Sequence, residues 1–178
     1  MTIVEPAEGF ASQSIKDVPT TYLAPQASGL LPFPDGAFSL VTCFGTLHHV
    51  SNVSTVIREM ARCVAPGAFI LIREPIISMG DWRRSRPMLT EHERGIPLQI
   101  FENIVASTGL EVARRQLCMF AAFNPLNAKR GDVYASKLLV LLDEFLCFVT
   151  KWHYRYHRVT RLQKLTPTSV FYVLRKPT

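Results

Sequence analysis

Two apolar runs and the helical stretch between them limit what this chain can become. Phe38–Phe44 (FSLVTCF) and Ala68–Arg73 (AFILIR) are short, unbroken and rich in aliphatic, β-branched and aromatic residues. Such runs read as strands buried on both faces, the pattern of a sheet covered by helices on either side. Between them, Val56, Met60, Cys63 and Val64 share one face of a helix over Thr55–Val64. Asn52 or Ser54 stands where a helix cap is needed, and Pro66-Gly67 ends the helix.

The same alternation continues on both sides. Ile3–Pro6 reads as a short strand ending at an acid, Ala7–Ile15 as a helix before Pro19, and Thr21–Leu23 as a second short strand. Leu31–Gly36 is a turn with Asp35-Gly36 at its tip. Residues 74–95 are polar, Arg-rich and aperiodic. A connection that long suggests a functional loop. Pro97 opens a helix over Leu98–Ser107, with Ile100, Phe101, Ile104 and Val105 inward and Gly109 after it. Glu111–Phe120 is a strand, Tyr134–Trp152 a long helix and Ser169–Arg175 a closing strand, antiparallel beside Glu111–Phe120 at the sheet edge. The prediction is one α/β domain over residues 1–178, a mostly parallel sheet with helices on both faces and a helical insert at about 125–165.

Composition excludes other classes. With 48% apolar and 19% charged residues the chain is neither disordered nor collagen-like. Cys43, Cys63, Cys118 and Cys147 form no CxxC pair and sit in apolar stretches. They read as reduced core thiols of a cytoplasmic protein, with no metal site expected. Glu5 and Glu8 come early and no apolar core follows them, so no signal peptide is read. Leu138–Val149 is the longest apolar run and contains Asp143 and Glu144. It is shorter than the roughly 20 residues needed to cross a bilayer, so it reads as a buried or interfacial helix.

Charge is uneven. Residues 1–144 are nearly balanced, whereas residues 145–178 hold Lys151, Arg155, Arg158, Arg161, Lys164, Arg175 and Lys176 and no acid. The helix Tyr134–Trp152 followed by Lys151–Arg158 joins an apolar surface to a basic, aromatic end. That combination suits an anionic membrane surface, to which the protein would be peripheral, or a lipid-linked substrate. A solvated basic end on a helix that covers the sheet is the plainer reading. Stacking on single-stranded nucleic acid is the third and least expected.

Leu31–Val50 (LPFPDGAFSLVTCFGTLHHV) followed by VIREMARCVAPGAFILIREP resembles the middle of the class I S-adenosylmethionine-dependent methyltransferases, type 11 family. The counterparts are Leu31–Val41, Leu47-His48-His49 and Val64–Gly67, in order and correctly spaced. The resemblance implies a Rossmann-like fold with S-adenosyl-L-methionine as cofactor. It implies methyl transfer to a small molecule or a glycan unit. It also implies site roles. Glu5 would accept the ribose hydroxyls. Gln26 and Ala27 would sit beside adenine, where the family usually has an Asp. Phe44, Gly45, Thr46 and Leu47 would line the cofactor, and His48 and His49 would orient substrate or accept a proton. Glu74, Asp81, Arg83 and Arg94, on loops after the fifth family strand, would read the substrate. Loop solvation and surface pairing is the plainer reading of those four, and capping of the next helix that of the histidines.

Two departures qualify the resemblance: no acid stands beside adenine, where Gln26 is the nearest polar residue, and the glycine-rich loop is missing. No GxG occurs in the sequence, so the chain reads as a methyltransferase fold truncated at its N-terminus, starting after the glycine-rich strand. The family places that strand at the centre of the sheet, and without it two edges stay open. Another chain filling the gap, a homodimer through the incomplete sheet, an inward shift of Thr2–Glu5 and a product that binds cofactor poorly are the alternatives. The departures therefore leave a second reading, a non-catalytic remnant or partner subunit, and a third, a basic surface-binding module.

Overall fold

The structure, a computed structural model, describes residues 1–5, 9, 11–81, 83–86, 89, 93–124 and 133–178. In chain order the strands are β1 (Thr2–Val4), β2 (Ser14–Ile15), β3 (Val18–Pro19), β4 (Thr21–Leu23), β5 (Phe38–Phe44), β6 (Val64–Pro75), β7 (Glu111–Phe120) and β8 (Pro167–Arg175). The helices are α1 (Val53–Cys63), α2 (Leu98–Ala106) and α3 (Lys137–Thr150).

The main sheet has the order β5-β6-β8-β7. β5 and β6 run parallel, and β8 supplies both antiparallel pairings by entering between β6 and β7. β1 and β4 form a separate parallel pair. Alternation along the strands sorts side chains to two faces. Ile70 and Ile72 of β6 and Val170, Tyr172 and Leu174 of β8 share one face and meet Ile57 and Met60 of α1 and Phe101 and Val105 of α2. The Phe101 and Tyr172 rings meet edge to face at 5.4 Å. Each buried side chain of this size contributes about 1.5–3 kcal/mol by leaving water. α3 takes the other face, where its Glu144 pairs with Arg114 of β7. Cys147 of α3 packs with Phe120 and Phe123 in a second small cluster.

Five expectations change. The predicted helix over Ala7–Ile15 is replaced at its end by a β2–β3 hairpin, whose tip Lys16 and Asp17 have φ of 47° and 66°. Two consecutive left-handed residues suit a two-residue hairpin turn and end any helix. Ala7, Glu8 and Phe10 lie outside the described residues. β5 is not buried on both faces: Leu40 is 52% and Phe44 48% exposed. As an edge strand it has one neighbour in its sheet. The closing strand β8 lies inside the sheet, leaving β7 at the edge. Finally, α1 stops at Cys63, before Pro66-Gly67. There the Lys176 ammonium bonds the Arg62 and Val64 carbonyls at 3.1 and 2.8 Å, serving a helix end whose carbonyls lack internal partners. The Asn52 side chain likewise bonds the Ser28 carbonyl and caps nothing.

Candidate functional site at the carboxyl edge of β5 and β6

Parallel strands deliver their carboxyl ends to one edge, where open α/β sheets bind ligands. Here β5 ends at Phe44 and its partner β6 runs on through Glu74. Gly45 follows with φ +67°, a conformation that L side chains rarely adopt, and its N–H bonds the Arg73 carbonyl at 2.8 Å. That left-handed step turns the chain into a single 3-10 turn, Leu47–His49.

Glu74 holds this turn. Its side chain is fully buried, and one carboxylate oxygen accepts the Thr46 and Leu47 N–H groups, each at 2.8 Å. The other accepts the His48 N–H at 3.3 Å and meets His48 Nδ1 at 2.9 Å. A buried carboxylate is tolerated only with such a set of partners. Bonding to the carboxylate makes Nδ1 the donor and turns Nε2 outward. The negative charge also reaches Cys43 on β5: burial first, then Glu74, pushes that thiol up to about 12.

Beyond His48 stands Glu93. His48 Nε2 lies 3.5 Å from one Glu93 oxygen and His49 Nδ1 lies 3.9 Å from the other. The two imidazoles face each other at 4.0 Å between centroids. His48 is nearly buried, with 7% of its side chain exposed, whereas His49 is 46% exposed. The result is a continuous polar row, Glu74–His48–Glu93–His49, open at its last member. His48, His49 and Glu93 each offer one ligand atom within 4.8 Å of the others, so this trio has the donor types to hold a divalent cation.

Glu93 comes from the long loop, and backbone stitching brings it here. The Gly95 and Ile96 N–H groups bond the Ile77 and Pro75 carbonyls at 3.1 and 2.8 Å. Tyr156 Oη donates to the Gly95 carbonyl at 2.7 Å. A Cβ on Gly95 would stand 2.5 Å from the Pro75 carbonyl oxygen and closer still to that of Ile77, so no larger residue fits.

The other expected site residues scatter. Glu5 follows β1, and its N–H extends that strand's pairing to the Leu23 carbonyl at 3.1 Å. Gln26 and Ala27 are exposed in a turn closed by the Gly29 N–H to the Gln26 carbonyl at 2.9 Å. Phe44 and Thr46 are exposed at the rim. Leu47 is not: at 1% exposure it belongs to the core, because the 3-10 turn points it under the sheet edge. Glu74 is likewise inside, its oxygens taken by the turn, and does not face the loop as a substrate reader. Asp81 and Arg83 pair with each other at 2.9 Å in an exposed turn, and Arg94 is exposed.

The sequence profile of the Methyltransferase domain family matches residues 2–72, which span β1 to most of β6. Over residues 2–72 the chain is similar to that family. Among its relatives, an uncharacterised methyltransferase, YcgJ of Bacillus subtilis (strain 168), is 37% identical over 71 residues, which is 39% of this chain and 27% of that protein. The chain thus matches about a quarter of that relative's length. A S-adenosylmethionine-dependent methyltransferase structure from Archaeoglobus fulgidus superposes with a TM-score of 0.61 at 12% identity, covering 98% of this chain and 75% of that one. Phosphoethanolamine N-methyltransferase 2 of Haemonchus contortus, solved with S-adenosylhomocysteine, gives 0.56 at 19% identity, covering 92% of this chain and 38% of that one. The fold is the Rossmann-like fold of these methyltransferases, with helices on both faces of the sheet. Glu93 is the site residue that sequence patterning did not single out. It lies beyond the matched segment and nothing local marks it.

Proposed function

We propose that this chain contributes the strand-edge half of an S-adenosylmethionine-dependent methyltransferase acting on a small molecule or a glycan unit. The observation that carries the reading is the row Glu74–His48–Glu93–His49 at the carboxyl edge of β5 and β6, opening at a half-exposed imidazole. The residues available at the rim fit the cofactor in kind: the Phe44 ring and the Gly45–Thr46 backbone for its apolar and polar parts, Glu5 at a strand end for hydroxyls, and Gln26 with Ala27 for the base. When bound, the cofactor supplies an activated methyl group. His49 then takes the proton that the acceptor atom releases, and Glu93 stabilises the imidazolium that forms. His48 is a positioning residue: anchored on Glu74, it packs beside Glu93 and holds that carboxylate near His49.

A second reading is a non-catalytic, methyltransferase-like subunit. Among the described residues no strand joins the β1–β4 pair to β5, which favours it. Calorimetric titration with S-adenosylmethionine separates the two. A Kd tighter than about 100 μM, weakened about tenfold by Phe44→Ala, supports the enzyme. No saturable binding at millimolar donor refutes it. If donor binds, transfer of labelled methyl to hydroxyl- and amine-bearing acceptors should fall about 100-fold in His49→Gln with donor affinity unchanged.

A further inference from the structure

Helix α3 is folded inside out. Its buried residues are Asp143 and Cys147. Asp143 accepts the Met119 and Phe120 N–H groups at 2.9 and 2.6 Å, satisfying the end of β7 where Met119 has a φ of 59°. The side turned outward carries Leu138, Leu141, Leu142, Phe145, Phe148 and Val149, between 39% and 73% exposed. Trp152, 73% exposed, continues the row beyond the helix. These positions recur at helical spacing and form one ridge about 17 Å long from Leu138 to Val149 at 1.5 Å per residue. The orientation is held by Asp143: rotating the ridge inward would strip two backbone N–H groups of their acceptor. A continuous apolar patch of this kind marks an interaction site.

The surface around the ridge is basic. Glu144, the last acid in the sequence, is engaged by Arg114 at 3.3 Å. Lys151 Nζ lies 4.2 Å from the Phe148 ring centroid. Beside it opens a cleft of about 380 Å³ walled by Phe148, Lys151, Arg114 and Arg115, where Glu144 pairs with Arg114 and Glu102 with Arg115, leaving Lys151 as the basic group without an acidic partner among these. Onward, exposed Arg155, Arg161 and Lys164 alternate with exposed Val159, Leu162 and Leu165. A second copy meeting this face about a twofold axis would set basic segment against basic segment. Among the described residues no helix is long and apolar enough to cross a membrane.

We propose that α3 and Lys151–Leu165 form a docking surface for an anionic lipid bilayer. The ridge lies in the plane of the interface, Trp152 sits at head-group depth, and the basic side chains meet lipid phosphates.

Co-sedimentation of the full chain with vesicles tests it, using phosphatidylcholine alone and phosphatidylcholine with about 30% phosphatidylserine. Binding to the anionic vesicles is expected, at least tenfold weaker on neutral ones and weakened by salt. Leu141→Gln/Phe145→Gln/Phe148→Gln should abolish it while the thermal midpoint holds or rises, since the three residues are exposed. Lys151→Gln/Arg155→Gln, which leaves the ridge intact, should weaken it about tenfold or more. Equal binding by wild type and both variants, or none by wild type, overturns the proposal. So does a wild-type dimer that the ridge variant dissociates without any vesicle binding. Saturable binding of single-stranded RNA that survives loss of the ridge, without vesicle binding, overturns it in favour of nucleic acid.

Discussion

Glu74→Gln asks most directly whether the rim is held from beneath. The substitution keeps shape and one carbonyl oxygen, so the bonds from Thr46 and Leu47, both 2.8 Å, can persist. They lose the charged acceptor, which costs about 1 kcal/mol per bond. The other oxygen becomes an NH2 facing two donors, the His48 N–H at 3.3 Å and Nδ1 at 2.9 Å. Both of these donors then lose their acceptor, at about 1–3 kcal/mol each. Relief of burying a charge returns part of this. The net expectation is a loss of about 3 kcal/mol, read as a shift in the urea midpoint at constant slope. In a His48→Ala background the conflict at Nδ1 is gone, so the same substitution should cost about 1 kcal/mol less. A loss below about 0.5 kcal/mol, or identical losses in both backgrounds, would refute the argument that Glu74 acts through the turn and through His48.

Other outcomes follow from single contacts. Gly95→Ala should cost more than about 3 kcal/mol, because backbone carbonyls cannot move aside as a side chain would; a urea midpoint within experimental error of wild type would contradict this. For Glu59, the Arg62 guanidinium first and the Leu31 N–H second hold the carboxyl down at about 2, against the usual 4.5. A folded pKa below the unfolded one stabilises above the unfolded value and is lost as pH falls through the folded one. Glu59→Gln should therefore be less stable than wild type by about 1 kcal/mol above pH 5, a figure discounted for solvent screening. The gap should close towards pH 2, and a gap that widens on acidification would count against it. Burial lifts Cys43 and Cys118 to about 12, so neither should react with iodoacetamide at pH 8 until the protein is unfolded; native alkylation seen by mass spectrometry would disprove it.

Much of the frame was written locally. Glu111–Phe120 is a strand with the predicted ends, and Pro97 and Gly109 bracket α2. Each follows from short-range periodicity and backbone restriction, which neighbours in sequence already determine. The failures share a cause. Phe38–Phe44 has the composition of a central strand but stands at an edge, because composition does not say how many neighbours a strand finds. Tyr134–Trp152 shows the same limit. Its sequence reads as a buried or an interfacial helix without choosing between them, and it is Asp143, by bonding the end of β7, that sends the apolar side to solvent.

The candidate site divides the same way. Gly45 and the LHH turn are contiguous, so the sequence alone could set a left-handed step and a turn carrying two imidazoles after a strand. It could not assign Glu74, whose role as buried anchor exists only because parallel β5 and β6 end side by side, nor Leu47, which the turn points into the core. Glu93 is 44 residues beyond His49 and meets it through hydrogen bonds among 75–78, 93–97 and 154–156. Local bias selects backbone shape residue by residue. Which charges come to face one another depends on the burial and hydrogen bonding of distant segments, and that exists only once the chain has closed on itself.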